Sequence, residues 1–156
     1  MNLLVAAVGQ RMPSWVVDAW AEYSRRMPPG LALHLREIPL AKRGKNADIA
    51  RALKAESAAL LAAMPARSRA IALDVRGKGW STGQLAEKLE NWMNDGRDVG
   101  FMIGGPDGID PGALARADER WSLGPLTLPH PLVRVVLAEQ LYRAWTITQN
   151  HPYHRA

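Results

Sequence analysis

The chain has 156 residues, of which 47% are apolar and 22% charged, with a net charge of +5. This composition predicts one soluble globular domain over residues 1–156. The absence of cysteine excludes disulfides and thiolate metal sites, and no apolar run is long enough to span a membrane. Since the N-terminus also lacks the basic leader of a signal peptide, we expect a cytoplasmic protein without a membrane partner.

Strand and helix patterns alternate through the first half of the chain. An apolar run at 3–8, ended by Gly9, predicts a buried strand, and Pro13-Ser14 begins a helix. After the break at 28–30, residues 31–38 alternate as in a half-exposed strand, and a basic loop follows at 42–46. We expect a second helix next, with an apolar face of Ile49, Leu53, Leu60, Leu61 and Met64.

The alternation continues in the second half. Strands are predicted at 70–75 and 99–103, and the helix between them begins with a capping box of Ser81 and Gln84. Asp110 is expected to cap a further helix. Residues 121–128 resemble a strand broken by a Gly-Pro pair, and the last helix is expected from Pro131 to about Thr148.

This order predicts an α/β fold, with a mainly parallel sheet covered by helices on both faces. Ligands bind such sheets beyond the carboxyl ends of the strands. The loops after Leu73, after Ile103 and at 124–130 therefore form the expected site.

Two of these loops have unusual compositions. The sequence Gly-Gly-Pro-Asp-Gly at 104–108 would let the backbone approach a ligand closely, although an ordinary strand-to-helix turn explains it equally well. It is not a dinucleotide-binding fingerprint, and the basic loop lacks P-loop spacing. The segment 123–131 contains three prolines; it is either a loop made rigid for stability or, as we favour, a wall that reads a heterocycle such as adenine.

The last helix and the tail suggest shared surfaces. The helix is apolar over more than half its circumference, so it is either central in the core or, as we favour, shared with a second subunit in a homodimer. The tail, His-Pro-Tyr-His-Arg at 151–155, is a poor metal site without cysteine or a nearby acid. Two alternatives remain for the tail: it is frayed in solvent, or it contacts phosphate through Arg155 and a base through Tyr153.

Taken together, these motifs resemble the ribosomal RNA large subunit methyltransferase H family. The resemblance rests on residues 103–108, residues 126–134, Glu139, the run Leu-Tyr-Arg-Ala-Trp at 141–145 and residues 150–155. It covers essentially the full chain, including the basic loop at 42–48.

The resemblance implies a SPOUT methyltransferase with a C-terminal trefoil knot, acting as a homodimer. The family uses S-adenosylmethionine (SAM) to methylate N3 of a pseudouridine in 23S rRNA within the assembled ribosome, and DNA is not its substrate. Family cofactor contacts, with their neighbours in the same loops, map onto Leu73, Ile103, Gly104, Gly105, Leu123, Gly124, Pro125, Leu126, Thr127 and Leu128.

Catalytic roles are assigned as hypotheses on the same basis. His154 takes the N3 proton, Arg155 stabilises charge on the base oxygens, and Tyr153 orients the base, with the tail completing the partner subunit's site. His130 is expected to hold the proline loop. The alternative is a non-enzymatic ribosome-binding factor that uses the same basic surface; a nucleotide-dependent oxidoreductase is disfavoured because no glycine fingerprint follows the first strand.

Overall fold

The computed structural model describes residues 1–44 and 48–154. Two features of the sequence therefore lie outside the described residues: Lys45 and Asn46 of the basic loop, and Arg155 of the tail.

A five-stranded parallel sheet forms the centre of the protein, in the order β2-β1-β4-β3-β5. Its strands are β1 (Leu3–Val8), β2 (Leu33–Ile38), β3 (Arg69–Gly79), β4 (Val99–Ile103) and β5 (Glu119–Ser122). Of the three interior strands, β1 and β4 are the most apolar, as expected for parallel strands that are buried on both faces. Strand β2 lies at an edge, which explains its half-exposed pattern.

Helices cover both faces of the sheet, which confirms the predicted α/β fold. They are α1 (Ser14–Arg26), α2 (Ile49–Ala63), α3 (Thr82–Asp95), α4 (Pro111–Arg116) and α5 (His130–Thr148). One apolar core includes side chains of α3 and α5, and α1 also packs against α5; a second core lies under α2 and α4. Within the described ranges, no helix has the length and apolar character needed to cross a membrane. The trefoil knot stays a prediction.

The predicted helix ends are confirmed where local chemistry fixes them. The Ser81 side chain accepts a bond from the Gln84 amide and the Gln84 side chain accepts one from the Ser81 amide, so the capping box is complete. Asp110 caps α4 by accepting from the Gly112 amide. Helix α3 ends at Gly96, whose φ of 84° suits glycine.

The predictions for the buried face of α2 and for the bounds of β5 were wrong. The buried face of α2 includes Glu56 and Ser57, while Ile49 is exposed. Polar side chains can occupy this face because a cation and a backbone amide satisfy Glu56, and Ser57 accepts from the Asp110 amide. Strand β5 begins at Glu119 and ends at Ser122, earlier than predicted, because the segment that follows contains Gly124 and several prolines.

Strand β3 is longer than predicted and contains a bulge. Leu73 and Lys78 both pair with Trp121 of β5, so the four residues 74–77 leave the ladder between them. A Cβ at Gly77 would lie only 2.6 Å from the backbone carbon of Arg120, which explains the glycine. The bulge projects at the carboxyl edge of the sheet, beside the loops predicted to bind a ligand.

Candidate functional site

Two adjoining cavities lie at the carboxyl edge of the sheet. The first has a volume of about 180 Å³ and is formed mainly by the β3 bulge and the loop after β5. The second, of about 270 Å³, is formed mainly by the loop after β4 and the start of α5. They share Leu73, Leu128 and Val133, so we treat them as one continuous site, called here the edge cavity.

The edge cavity brings together nine of the ten residues predicted to bind a cofactor. Those in its lining are Leu73, Ile103, Gly104, Gly105, Leu123, Gly124, Leu126, Thr127 and Leu128. The tenth, Pro125, is exposed in the same loop but does not line the cavity. The three predicted loops therefore converge, although their distances in sequence are large.

The glycine loop, residues 104–108, is wound tightly on itself. The Gly108 amide donates to the Gly105 carbonyl at 3.1 Å. A Cβ at Gly104 would lie 2.4 Å from the Gly108 carbonyl oxygen, and one at Gly105 would lie 2.9 Å from Val8. Both positions therefore require glycine, and the loop presents backbone groups to the cavity.

The proline loop, residues 123–131, begins with a side-chain turn. The Ser122 hydroxyl donates to the Gly124 carbonyl and accepts from the Gly124 amide, each at 3.1 Å. Gly124 has a φ of 130°, a conformation that favours glycine. Beyond this turn, Leu126 lines the cavity and is 76% exposed, so it offers an apolar wall there.

Several lining residues were not found from the sequence. Asp74 and Val75 reach the cavity because they lie in the β3 bulge, and Trp121 and Val133 line it from β5 and α5. The sequence did contain a signal for the bulge, since Gly77 and Gly79 interrupt a strand.

His130 lies at the first position of α5 and lines the edge cavity. Its ring packs against Gly9 at the end of β1, and its Nδ1 atom is buried without a hydrogen-bond partner among the described residues. Burial lowers the pKa of His130, and the nearby charge of Arg134 lowers it further. The imidazole therefore favours its neutral form, as expected for a packing residue at the base of the loops.

The tail docks on α5 of its own chain. It forms a 3-10 turn at Pro152–His154, and the Tyr153 hydroxyl donates to Glu139 Oε1 at 3.0 Å. The Tyr153 ring meets Tyr142 edge-on at 4.7 Å between centroids, and the Arg143 guanidinium lies 5.0 Å from its centre. Burial and the bond to Glu139 raise the pKa of Tyr153. Tyr153 therefore anchors the tail in this structure and does not present a free ring for stacking.

His154 follows this anchor directly. Its Nδ1 atom is buried and has no hydrogen-bond partner among the described residues. A buried imidazole nitrogen without a partner costs about 1–3 kcal/mol. The tail thus holds an imidazole whose Nδ1 atom has no hydrogen-bond partner within residues 1–44 and 48–154.

The tail and the edge cavity lie at different levels of α5. The cavity reaches α5 only as far as Val133, whereas the tail packs at Glu139–Arg143. Tyr142 lies nine positions after Val133, or about 14 Å along a helix. No described tail residue lines the cavity, so within the described ranges Tyr153 and His154 do not meet the predicted cofactor residues of the same chain. Nor do three or more acidic or histidine side chains in the described ranges form a group that could hold a metal ion.

Comparison with known proteins gives a consistent result. A family model described as "Predicted SPOUT methyltransferase" matches residues 1–154. The chain is 57% identical over 155 residues to the Ribosomal RNA large subunit methyltransferase H of Pseudomonas fluorescens, covering 99% of this chain and 100% of that protein. It is 56% identical, with the same coverage, to the protein of that name from Azotobacter vinelandii. A probable methylase family protein from Haemophilus influenzae has a similar fold, with a TM-score of 0.56 at 13% identity over 99% of this chain and 70% of that one.

Proposed function

The chain belongs to the SPOUT methyltransferase family, and from this premise we propose that it methylates N3 of a pseudouridine in 23S rRNA with SAM as methyl donor. The observation that carries the proposal is the convergence of three loops, distant in sequence, on the edge cavity. The relatives named as large-subunit rRNA methyltransferases support the substrate class, since they match along their whole length. The net charge of +5 is consistent with an RNA substrate.

The residues of the edge cavity fit SAM. The leucines at 73, 123, 126 and 128 offer apolar walls suited to an adenine ring. The glycine loop offers backbone amides and carbonyls to the polar groups of SAM, because no side chains stand between the backbone of Gly104 and Gly105 and the cavity. Bound SAM would supply an electrophilic methyl group on its sulfonium sulfur. The chain would contribute by fixing the positions of donor and acceptor. Bringing the two groups into line accounts for a large part of the activation free energy in a displacement of this kind.

The acceptor must lose a proton before it can attack. The N3–H of pseudouridine is a weak acid, so its nitrogen becomes nucleophilic only when that proton leaves. We assign this proton to His154 or to a water that it holds, because the buried His154 Nδ1 atom makes no hydrogen bond within the described part of the chain. Arg155, adjacent in sequence, would stabilise the negative charge that develops on the base oxygens. Tyr153 would hold both residues in place through its bond to Glu139.

The proposal requires a second subunit. Since the tail and the edge cavity lie at different levels of α5, the tail of one chain would complete the cavity of another. Helix α5 suits a shared surface, because Leu132, Val135 and Val136 remain partly exposed after α1 and α3 have packed against it. A homodimer with two composite sites, and with the trefoil knot of the family, is therefore proposed.

Methyl transfer to ribosomes tests the proposal. Ribosomes that lack the modification would be incubated with SAM carrying a labelled methyl group, and the labelled nucleotide would be located by mass spectrometry of the rRNA. We expect label at N3 of one pseudouridine with whole ribosomes, and much less with free rRNA. Label at another position, or on another RNA, would contradict the assigned substrate.

The same assay tests the tail. His154→Ala and a chain that ends after Asn150 are expected to lose nearly all activity while still binding SAM, because both leave the edge cavity intact. Full activity in the shortened chain would contradict the role of the tail, whereas full activity in His154→Ala alone would contradict only the assignment of the base. A wild-type protein that binds ribosomes but shows no heat of SAM binding in calorimetry would be a ribosome-binding factor.

A further inference from the structure

A partly buried ion-pair network connects the glycine loop to helix α2. Arg43, in the loop after β2, donates from Nη1 and Nη2 to the two carboxylate oxygens of Glu56 at 2.6 and 2.9 Å. Its Nε donates to Asp107 Oδ2 at 2.9 Å. Three segments of the chain, residues 41–43, α2 and the glycine loop, therefore meet at one guanidinium.

The network is anchored on the side of Glu56. The Glu56 side chain is only 1% exposed, and it also accepts from the Ala41 amide at 2.9 Å. Burial by itself would raise the pKa of Glu56, but the bonds from Arg43 and from the Ala41 amide outweigh burial and lower it. The carboxylate stays charged and fixes the orientation of the guanidinium. The guanidinium that binds Asp107 is therefore already held in a fixed position by Glu56.

Asp107 is the natural point at which to hold the glycine loop. Of residues 104–108, only Asp107 has a polar side chain. The loop otherwise contacts its surroundings through close backbone packing, such as Gly105 against Val8 and Leu40. Leu40 and Arg43 lie in the same loop after β2, so this loop supports the glycine loop by packing and by charge.

We propose that Arg43 and Asp107 are positioning residues that hold the glycine loop in the shape needed to bind SAM. The proposal deepens the proposed function and rests on it. Neither side chain lines the edge cavity, so both act through the backbone of Gly104 and Gly105. Loss of the link leaves the loop with more conformations, and binding must then select the competent one. The effect should therefore appear in SAM affinity and only weakly in kcat at saturating SAM.

The test is a double-mutant cycle measured by calorimetric titration with SAM. Asp107→Ala removes the link but leaves Arg43 paired with Glu56. Arg43→Lys keeps the charge, but a single ammonium group cannot reach both carboxylates in the same geometry. We expect each variant to bind SAM about fivefold to tenfold more weakly, and the double variant to be little worse than either. Asp107→Asn, which keeps a neutral acceptor, should fall between wild type and Asp107→Ala.

Asp95→Ala is the matched control. Asp95 forms an exposed ion pair with Arg97 at 2.7 Å, and neither residue lines the edge cavity. Asp95→Ala should keep a near-native melting temperature, since exposed pairs contribute only about 0–1 kcal/mol. Asp107→Ala should keep it as well, because the Asp107 side chain is 34% exposed and Glu56 stays paired with Arg43. The control should bind SAM as wild type does. Asp107→Ala or Arg43→Lys binding as tightly as this control would overturn the proposal.

Hydrogen exchange without SAM gives an independent readout. In Asp107→Ala the amides of residues 104, 105, 107 and 108 should exchange several-fold faster than in the control, because the loop has lost the one side-chain bond that it makes to the described residues. Unchanged exchange would overturn the proposal. If wild-type protein itself fails to bind SAM, the proposed function is contradicted, and loop exchange then decides the role of Arg43 and Asp107.

Discussion

The anchor of the tail can be tested by removing one hydroxyl group. Tyr153→Phe keeps the ring that packs against Tyr142 but deletes the bond to Glu139. Glu139 remains satisfied in the variant, since Arg143 donates to it at 2.9 Å and Gln140 at 2.8 Å. The variant therefore loses one hydrogen bond without leaving a buried charge unpaired.

The magnitude follows from this geometry. A hydrogen bond to a charged group contributes about 1.5–3 kcal/mol, and the remaining partners of Glu139 place the loss at the lower end. About 1.4 kcal/mol changes an equilibrium tenfold. The ratio of undocked to docked tail should thus rise about tenfold, with no change in the global stability of the α/β core.

Hydrogen exchange of the C-terminal peptide measures this ratio directly. We expect residues 150–154 to exchange about tenfold faster in Tyr153→Phe than in wild type. Tyr142→Phe is the matched control, because the Tyr142 hydroxyl makes no side-chain hydrogen bond within the described ranges. Equal exchange in wild type and Tyr153→Phe, or equally fast exchange in both variants, would refute the anchor.

The same bond predicts a pH dependence. Burial and Glu139 raise the pKa of Tyr153 above its ordinary value of 10.0, so docking favours the protonated phenol. Docking should be fully retained below pH 10 and lost as the pH rises toward the folded-state pKa. Exchange of the tail should therefore accelerate at alkaline pH in wild type, whereas Tyr153→Phe should show no such transition beyond the ordinary base catalysis of exchange.

Three further predictions concern the cavity and the core. Gly104→Ala should retain the fold but weaken SAM binding in calorimetry by about tenfold or more, because the new Cβ would meet the Gly108 backbone and shift the glycine loop. Near-native affinity would contradict the role of the loop in binding. Glu37→Gln should lower the free energy of unfolding by about 2 kcal/mol, because it removes the charge of the carboxylate that lies 2.8 Å from the buried Arg134 guanidinium. An unchanged midpoint of urea unfolding would refute this prediction. Because burial lowers the pKa of His130 below 6.5, the stability due to its neutral form should be present above pH 6.5 and lost as the pH falls. In urea unfolding, His130→Gln should therefore lose less stability on acidification than wild type. An equal loss of stability in both proteins would contradict this prediction.

Features fixed by neighbouring residues could be predicted from the sequence. The bounds of β1 and β4, the capping box at Ser81 and the cap at Asp110 all follow from local patterns and are confirmed. The convergence of the three site loops also followed, because the carboxyl ends of parallel strands share one edge.

Features fixed by distant partners could not be predicted. Glu56 is an unexpected member of a buried helix face, and it is stable there only because Arg43, 13 positions away, meets it in space. Asp107 joins the same network from 64 positions away. Asp74 lines the cavity because a bulge shifts the register against Trp121. Hydrophobic periodicity carries no information about such pairings.

The tail combines features that could be predicted from the sequence with features that could not. The resemblance assigned functions to Tyr153 and His154, but the anchoring of Tyr153 on Glu139 and Tyr142 became visible only in three dimensions. That geometry also separates the tail from the edge cavity of the same chain, which is why the proposed site needs two subunits.

Mixing two inactive variants tests this composite site most directly. Gly104→Val would block the edge cavity, and His154→Ala would remove the acceptor-side imidazole. If each site combines the cavity of one chain with the tail of the other, a mixed dimer contains one intact site. Random re-pairing of equal amounts should then restore about a quarter of the wild-type rate of methyl transfer from SAM to ribosomes that lack the modification. No recovery in verified mixed dimers would contradict the account.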